Sequence, residues 1–170
     1  MTLTAPIAEE VATAVVPDYA GLATRTLAFG ADALIINATV WFVAAVVGIG
    51  LSLLGVPEDV LKVLAAIGAV VALAWAIGYF AFFWSANGQT PGSRMLGIRV
   101  LGAGSAEPPR AGRSLVRVLA LPLSAIPLCA GFLMILVDGR RRALHDRIAG
   151  TVVVYTPRAG RGLSASRRPG

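Results

Sequence analysis

Residues 27–54 read LAFGADALIINATVWFVAAVVGIGLSLL, an apolar run of 28 residues in which Asp32 is the single charged side chain. A helix rises about 1.5 Å per residue, so about 20 residues cross the hydrocarbon core of a bilayer. The run is longer than this, which lets the helix tilt or begin in the headgroup region. Arg25 precedes it, where a long side chain reaches the interface. This stretch predicts a first transmembrane helix.

A second apolar run follows after a short turn. The segment from Gly55 to Asp59 contains a glycine, a proline and two acids, and such residues end a helix. Residues 63–83 carry no charge and are long enough to cross back. Tyr79 and Trp84, near the end of this run, suit an aromatic belt at the membrane–water interface. We predict two transmembrane helices in an antiparallel hairpin.

The composition agrees with a small integral membrane protein. Of the 170 residues, 56% are hydrophobic and 14% are charged, whereas about 25% are charged in a typical soluble domain. These values exclude a disordered chain, a coiled coil and most water-soluble enzymes. The single cysteine, Cys129, excludes a disulfide scaffold. The net charge is +6, but the arginines lie at the ends of apolar runs rather than on a soluble basic face, which argues against nucleic-acid binding.

A third apolar run, residues 118–137, contains Pro122 and Pro127. Eight arginines follow it, five separate it from the second run, and the turn after the first run holds one cation. The positive-inside rule therefore places the N-terminus and the central segment in the cytoplasm and the turn outside. Arg113 and Arg117 fit an interfacial amphipathic turn. The third run either spans once, with eight arginines outside, or re-enters as a proline-broken hairpin, which we favour.

Two short segments have the residue pattern of strands. Residues 97–101 partly alternate, and residues 151–155 are rich in β-branched side chains. They pair only on one side of the membrane, which favours re-entry. The predicted fold is an all-α membrane protein with two transmembrane helices, a third proline-broken segment and a small two-strand cytoplasmic element. We expect a membrane domain over residues 19–155, a flexible cytoplasmic tail over 1–18 and a disordered basic tail over 156–170.

Asp32 is the strongest candidate for a functional residue. An ionised carboxylate in the hydrocarbon costs about 2.5–3.5 kcal/mol on insertion scales, and such residues usually face a partner or a water-filled cavity. Arg25 projects from the same helix face about 10 Å away, so a third group, a water or an ion would bridge the two. Alternatively, Asp32 lies near the cytoplasmic interface and only stabilises the fold. Asn37 and Thr39 either extend a polar stripe or bond within their own helix.

No pattern indicates catalysis or metal binding. His145 is the single histidine, and one histidine with scattered acids makes no ligand set. Asp146 follows it in an arginine-rich motif and is most simply an arginine partner. Cys129 lies in an apolar run, where it is most simply an unreactive packing residue. The segment from Gly88 to Gly92 is not a phosphate loop, because the glycine–lysine–hydroxyl ending is missing. We expect no enzymatic activity, no cofactor and no metal.

Three motifs, in order, resemble those of the RDD family of bacterial membrane proteins. Residues 19–25 (YAGLATR) resemble the family's opening, residues 87–100 (NGQTPGSRMLGIRV) its central signature and residues 144–154 (LHDRIAGTVVV) its closing one. One departure is Ser93, where the family often has lysine. This departure weakens any role for a cation at that position, although Arg94 is adjacent.

The resemblance implies a functional polar trio of Arg25, Asp32 and Asp146. It also implies a supporting cytoplasmic motif made of Gln89, Thr90, Pro91, Gly92, Arg94, His145 and Arg147. The family resemblance further implies a multi-pass protein of the bacterial inner membrane with a transport-related role, because cation/proton exchange is reported for some relatives. The alternative is an interaction module that docks a protein partner or anionic lipid through its cytoplasmic arginines. Two spans and a hairpin make only a thin wall for a pathway, so we expect a homo-oligomer or a membrane protein partner within the lipid bilayer.

Overall fold

The computed structural model describes residues 18–125 and 130–156. The predicted tails, residues 1–18 and 156–170, fall almost entirely outside these ranges, and Pro127 and Cys129 also lie outside them. The described elements in chain order are α1 (Leu22–Leu53), α2 (Glu58–Ala86), α3 (Pro91–Met95), β1 (Ile98–Gly102), α4 (Ala111–Leu119), α5 (Leu121–Ala125), α6 (Ala130–Val137), α7 (Leu144–Ala149) and β2 (Thr151–Tyr155).

The helices α1 and α2 are both long and apolar enough to cross a membrane. At 1.5 Å per residue, the 32 residues of α1 extend about 48 Å. The chain turns back through Gly55, whose φ of +62° is a left-handed conformation that glycine adopts without strain at Cβ. Pro57 precedes α2, and Glu58 and Asp59 in the first turn face the positive end of the helix dipole. The prediction of two helices of membrane-crossing length is confirmed.

The two long helices pack on each other at the end far from this turn. The remaining elements, α3 to β2, gather around that end, which we call the capped end. Phe29 stacks on Phe80 with ring centroids 5.2 Å apart, and Ile36 and Tyr79 are buried nearby. Closer to the turn the apolar side chains are exposed. Trp41, for example, has 73% of its surface exposed. Exposed apolar faces of this length require lipid or another protein around them.

A small antiparallel sheet lies at the capped end. In the pairing of β1 with β2, Ile98 is opposite Tyr155, which confirms the predicted pairing of the two strand-like segments. The segment before α1 adds to the free side of β2, because the Ala20 amide donates to the Val153 carbonyl at 2.9 Å. The inner face of the sheet joins the end of α2 in one apolar core, formed by Ile98, Val100, Val153, Phe80 and Trp84 among others.

Within the described residues, the third apolar run forms short helices and not one continuous helix. The helix α4 ends at Leu119, and α5 begins just before Pro122, whose ring is incompatible with a continued helical turn on its N-terminal side. The helices α5 and α6 come into close contact, and a Cβ at Gly131 would lie 2.6 Å from the Cα of Ser124. The proline-broken hairpin, and whether this segment re-enters or spans the membrane, stay predictions.

Candidate functional site

Asp32 lies in a buried polar site between α1, α2 and α3. Its carboxyl oxygens accept hydrogen bonds from the Tyr79 hydroxyl at 2.9 Å, the Thr90 hydroxyl at 2.5 Å and the Gly92 amide at 2.8 Å. Only 2% of Asp32 is exposed. The three donors are uncharged, and Asp32 forms no ion pair with any residue in the ranges 18–125 and 130–156. The arrangement solvates a buried carboxyl with neutral groups alone.

The central motif builds this site through its backbone. The Thr90 side chain caps α3 by accepting the Ser93 amide at 3.2 Å, and Pro91 starts the helix with a fixed φ. Gly92 then approaches α1 so closely that an added Cβ would lie 2.8 Å from the Cγ of Asp32 and would collide with the α1 backbone. A side chain at this position would therefore push the Gly92 amide away from the carboxyl that it binds.

The other members of the motif divide into buried and exposed residues. Gln89 is buried, and its side-chain amide donates to the Ile98 carbonyl at 3.0 Å and to the Thr156 hydroxyl at 3.2 Å. These bonds fasten the end of α2 to the sheet. Arg94 and Arg147 are exposed and take no part in the polar site around Asp32.

Asp146 forms the second buried polar site, with two guanidinium groups. Arg25 Nη1 lies 2.5 Å from Oδ2, and Arg117 Nη2 lies 3.0 Å from Oδ1. Asp146 is the third residue of α7, where its Oδ2 also accepts the Ala143 amide at 3.1 Å and holds the start of that helix. The carboxylate is fully buried. Two positive charges beside one negative charge leave this cluster with a surplus of positive charge.

The ion pairs decide the charge of Asp146. Burial by itself raises the pKa of the Asp146 carboxyl, but Arg117, His145, Arg25 and the Ala143 amide outweigh that effect, so its pKa lies below the ordinary value. Burial lowers the pKa of Arg117 to about 10 against the attraction of Asp146. Both groups therefore remain charged at neutral pH.

His145 is buried beside this cluster and is neutral at pH 7. Its Nδ1 lies 2.9 Å from the Ser124 hydroxyl, and its backbone amide donates to the same oxygen at 3.1 Å. Burial lowers the pKa of His145 to about 4, and the opposing attraction of Asp146 is smaller. Within the described ranges no group of His, Cys, Asp and Glu is large enough to hold a metal ion. In this structure His145 joins α7 to α5.

Tyr79 and Arg117 belong to these sites, although their sequence positions indicate only an interfacial location. The Arg117 guanidinium lies 4.4 Å from the ring centre of Trp84 and donates to the Thr151 hydroxyl at 3.2 Å. The sequence does contain a signal that Tyr79 belongs to a polar site, because a tyrosine hydroxyl in an apolar helix requires a polar partner. Arg117 directly precedes the third apolar run, but its sequence position does not identify its partner.

A cavity of about 460 Å³ is lined by residues of both polar sites, Asp32 and Arg25 among them. The structure nevertheless divides the predicted trio, because Arg25 pairs with Asp146 and not with Asp32. Asn37 and Thr39 each donate to a carbonyl of their own helix and are exposed. The polar stripe along α1 therefore ends at Asp32.

Comparison with known proteins identifies relatives in two bacteria. The chain is 31% identical over 83 residues to the proline-rich antigen of Mycobacterium leprae (strain TN), covering 49% of this chain and 33% of that protein. It is 36% identical over 76 residues to an uncharacterized protein of Rickettsia prowazekii (strain Madrid E), covering 45% of this chain and 42% of that protein. The matched regions thus span less than half the length of these curated relatives. No solved structure matches the chain.

The family comparison covers the first two motifs in full and residues 144–150 of the third. The model of the RDD family matches residues 19–150 of the 170-residue chain. The matched range contains α1 with Asp32, the Thr90–Gly92 segment and α7 with Asp146. The chain belongs to the RDD family.

Proposed function

We propose that this membrane protein has a transport-related, ion- or proton-coupled role in which Asp32 is the exchange site. The observation that carries the proposal is the contrast between the two buried acids. Two guanidinium groups balance the charge of Asp146, whereas only uncharged donors contact Asp32. A carboxylate in a membrane helix is costly without a counter-charge. A proton or a small cation bound at Asp32 would remove that cost.

The groups around Asp32 suit either occupant. The Thr90 hydroxyl lies 2.5 Å from the carboxyl and 3.0 Å from the Ser93 hydroxyl, and Tyr79 supplies a further hydroxyl. A hydroxyl rotates so that its hydrogen faces a carboxylate or its lone pairs face a cation. Hard cations prefer such oxygen ligands. Exchange would therefore require hydroxyl rotation and no large movement of the helices.

Access to Asp32 is proposed from the capped end, where this residue lines the cavity. Toward the turn, α1 and α2 are exposed over most of their length, and two helices enclose no route across a bilayer. The proposal therefore includes a homo-oligomer or a membrane partner that completes the pathway. No enzymatic step is proposed.

Orientation is proposed from charge. The capped end carries most of the arginines, whereas Lys62 is the single positively charged residue near the turn. The capped end and the N-terminus would therefore face the cytoplasm of a bacterial inner membrane. A terminal tag that is protected from added protease in right-side-out vesicles supports this orientation. Digestion of the tag in those vesicles contradicts it.

Ion exchange in proteoliposomes tests the role of Asp32. We expect an imposed Na⁺ or K⁺ gradient to move protons, read by an entrapped pH dye, and Asp32→Asn to abolish the movement. The asparagine has nearly the same shape, and the hydroxyls of Tyr79 and Thr90 can accept from its amide, so the fold should persist. Asp59→Asn, at the exposed turn, is the matched control and should exchange like the wild type. Exchange by Asp32→Asn at the wild-type rate would remove Asp32 from the mechanism.

A second variant uses the family difference at position 93. Ser93 is 5% exposed and lines the same cavity as Asp32, so the ammonium group of Ser93→Lys would lie near the carboxylate and balance its charge. We expect this variant to fold and to lose exchange. Met95→Lys adds the same charge to α3 at a residue that is 77% exposed, and it should exchange normally. Full exchange by Ser93→Lys would contradict the need for an unbalanced carboxylate.

The second candidate function is an interaction module, and the exposed apolar faces of α1 and α2 favour it. Those faces suit a protein partner, while the arginines at the capped end suit an anionic lipid surface, where each contributes about 1 kcal/mol. A partner that co-purifies in stoichiometric amount, together with no measurable exchange, would favour this function over transport.

A further inference from the structure

The cavity between the two polar sites has a surplus of positive charge. Arg25, Arg99 and Arg117 line it, and even with Asp32 and Asp146 counted, three positive charges stand against two negative ones. Arg99 forms no ion pair within residues 18–125 and 130–156. The part of the cavity lined by these arginines therefore favours a ligand that brings negative charge.

Three nitrogen atoms of these arginines also lack acceptors. Arg117 Nε, Arg25 Nη2 and Arg99 Nε are buried without a hydrogen-bond partner among the described residues. Arg117 is 5% exposed, so bulk water does not replace the missing acceptor. Guanidinium groups present several N–H donors in a planar fork that matches the oxygens of a carboxylate or a phosphate. An oxyanion in the cavity would supply the missing acceptors.

Most of the remaining cavity wall is apolar, and part of it lies at the exposed surface of the protein. Phe80, Leu121 and Phe132 line its interior, while Phe29 and Leu133 line it and are 46% and 50% exposed. This exposed apolar pair, Phe29 on α1 and Leu133 on α6, indicates that the cavity opens at an apolar surface. A small hydrated anion gains nothing from such walls, whereas an acyl chain is well matched to them.

We propose that this cavity binds an anionic amphiphile, with its carboxylate or phosphate headgroup on Arg117, Arg25 and Arg99 and its acyl chain along the apolar wall. Its volume of about 460 Å³ lies within the usual range of about 300–1,000 Å³ for small-molecule sites. A single acyl chain fits this space better than a whole phospholipid. The site differs from the proposed exchange site in its ligand and in the residues that bind it, and it does not depend on exchange.

Quenching of Trp84 fluorescence tests the proposal. Trp84 lines the cavity, and Trp41→Phe with Trp75→Phe leaves it as the single tryptophan of the chain. The purified full-length protein in a mild detergent is titrated with palmitic acid brominated on its chain, and the uncharged methyl ester of the same acid is the control probe. We expect saturable quenching by the acid, with an apparent Kd at least about tenfold lower than for the ester, which corresponds to about 1.4 kcal/mol.

Two further probes identify the source of the ligand. Brominated phosphatidylglycerol that quenches more tightly than the fatty acid would assign the headgroup to a membrane lipid, and the reverse order would assign it to a free fatty acid. Either order supports the amphiphile. Equal quenching by the acid and its ester would overturn the role of the arginines, and displacement of the acid by millimolar inorganic phosphate would overturn the need for an acyl chain.

Variants locate the headgroup. Arg117→Lys keeps the charge that Asp146 needs but loses Nε and the planar fork, and we expect its apparent Kd to rise about tenfold. Arg113→Lys, one turn earlier on α4 and outside the cavity wall, is the matched control and should bind normally. If Arg117→Lys fails to fold, Arg99→Gln compared with the exposed Arg94→Gln gives the same comparison. Unchanged affinity in Arg117→Lys and in Arg99→Gln would overturn the assignment.

Discussion

Replacing Gly92 with alanine should push α3 away from α1. The added Cβ would lie 2.8 Å from the Cγ of Asp32 and 2.9 Å from its Oδ1, and it would collide with the Ala28 carbonyl. The backbone must shift, which weakens the hydrogen bonds from Gly92 and Thr90. Overpacking costs about 1–3 kcal/mol, and a hydrogen bond to a charged group contributes about 1.5–3 kcal/mol. We expect the free energy of unfolding to fall by about 3 kcal/mol, taking mid-range values with part of the bond retained.

Thermal unfolding of the purified protein in a mild detergent measures this effect. For a chain of this size about 1 kcal/mol shifts the midpoint by about 2–4 °C, so the apparent Tm should fall by about 6–12 °C. Gly30→Ala is the matched control, because it lies in α1 two positions before Asp32 and its added Cβ meets nothing within 4 Å. Its Tm should be unchanged or slightly raised, since alanine favours a helix more than glycine does. Equal Tm values for the two alanine variants would refute close approach as the reason for glycine at position 92.

Two further predictions concern the ion-pair cluster. Asp146→Asn leaves Arg25 and Arg117 buried without a counter-charge, so it should lower the free energy of unfolding by about 3–5 kcal/mol, whereas Asp59→Asn at the exposed turn should leave the Tm within about 2 °C; similar Tm values for both would contradict the pairing. His145 is neutral in the fold, with a pKa of about 4 against 6.5 for an ordinary histidine, so unfolded chains bind more protons in that interval. Stability should therefore fall as the pH drops from 6.5 toward 4, by up to about 1.4 kcal/mol per pH unit. Thermal unfolding across this range should show a smaller decrease for His145→Asn, and an identical decrease would exclude this histidine as the cause.

The large elements of the fold follow from the sequence because each depends on local composition. An apolar run of 28 residues has few alternatives to a membrane-length helix. The strand pairing was predictable in kind, since β-branched residues 151–155 need a partner and residues 97–101 are the nearest segment with strand character. The exact register depends on turn and core geometry, which the residue pattern alone does not specify.

The partners of the buried charges were not predictable in the same way. Helical periodicity places Arg25 and Asp32 on one face, and both do line the cavity, yet Arg25 pairs with an acid 121 residues away. Asp32 instead takes its donors from Tyr79 and from the Thr90–Gly92 segment. Such pairings arise from tertiary geometry, and a choice among many arginines and acids requires the positions of all the helices.

The contacts between the two ends of the domain have a consequence for its synthesis. Ala20 binds Val153, and Arg25 binds Asp146. Because these partners are far apart in the sequence, the first helix emerges from the ribosome long before the residues that complete its surroundings. The helices α1 and α2 would thus enter the membrane before the guanidinium group of Arg25 can pair with the carboxylate of Asp146. A chain whose translation stopped before position 146 would keep two arginines without their acid and a strand without its neighbour, and we expect cellular proteases to remove it.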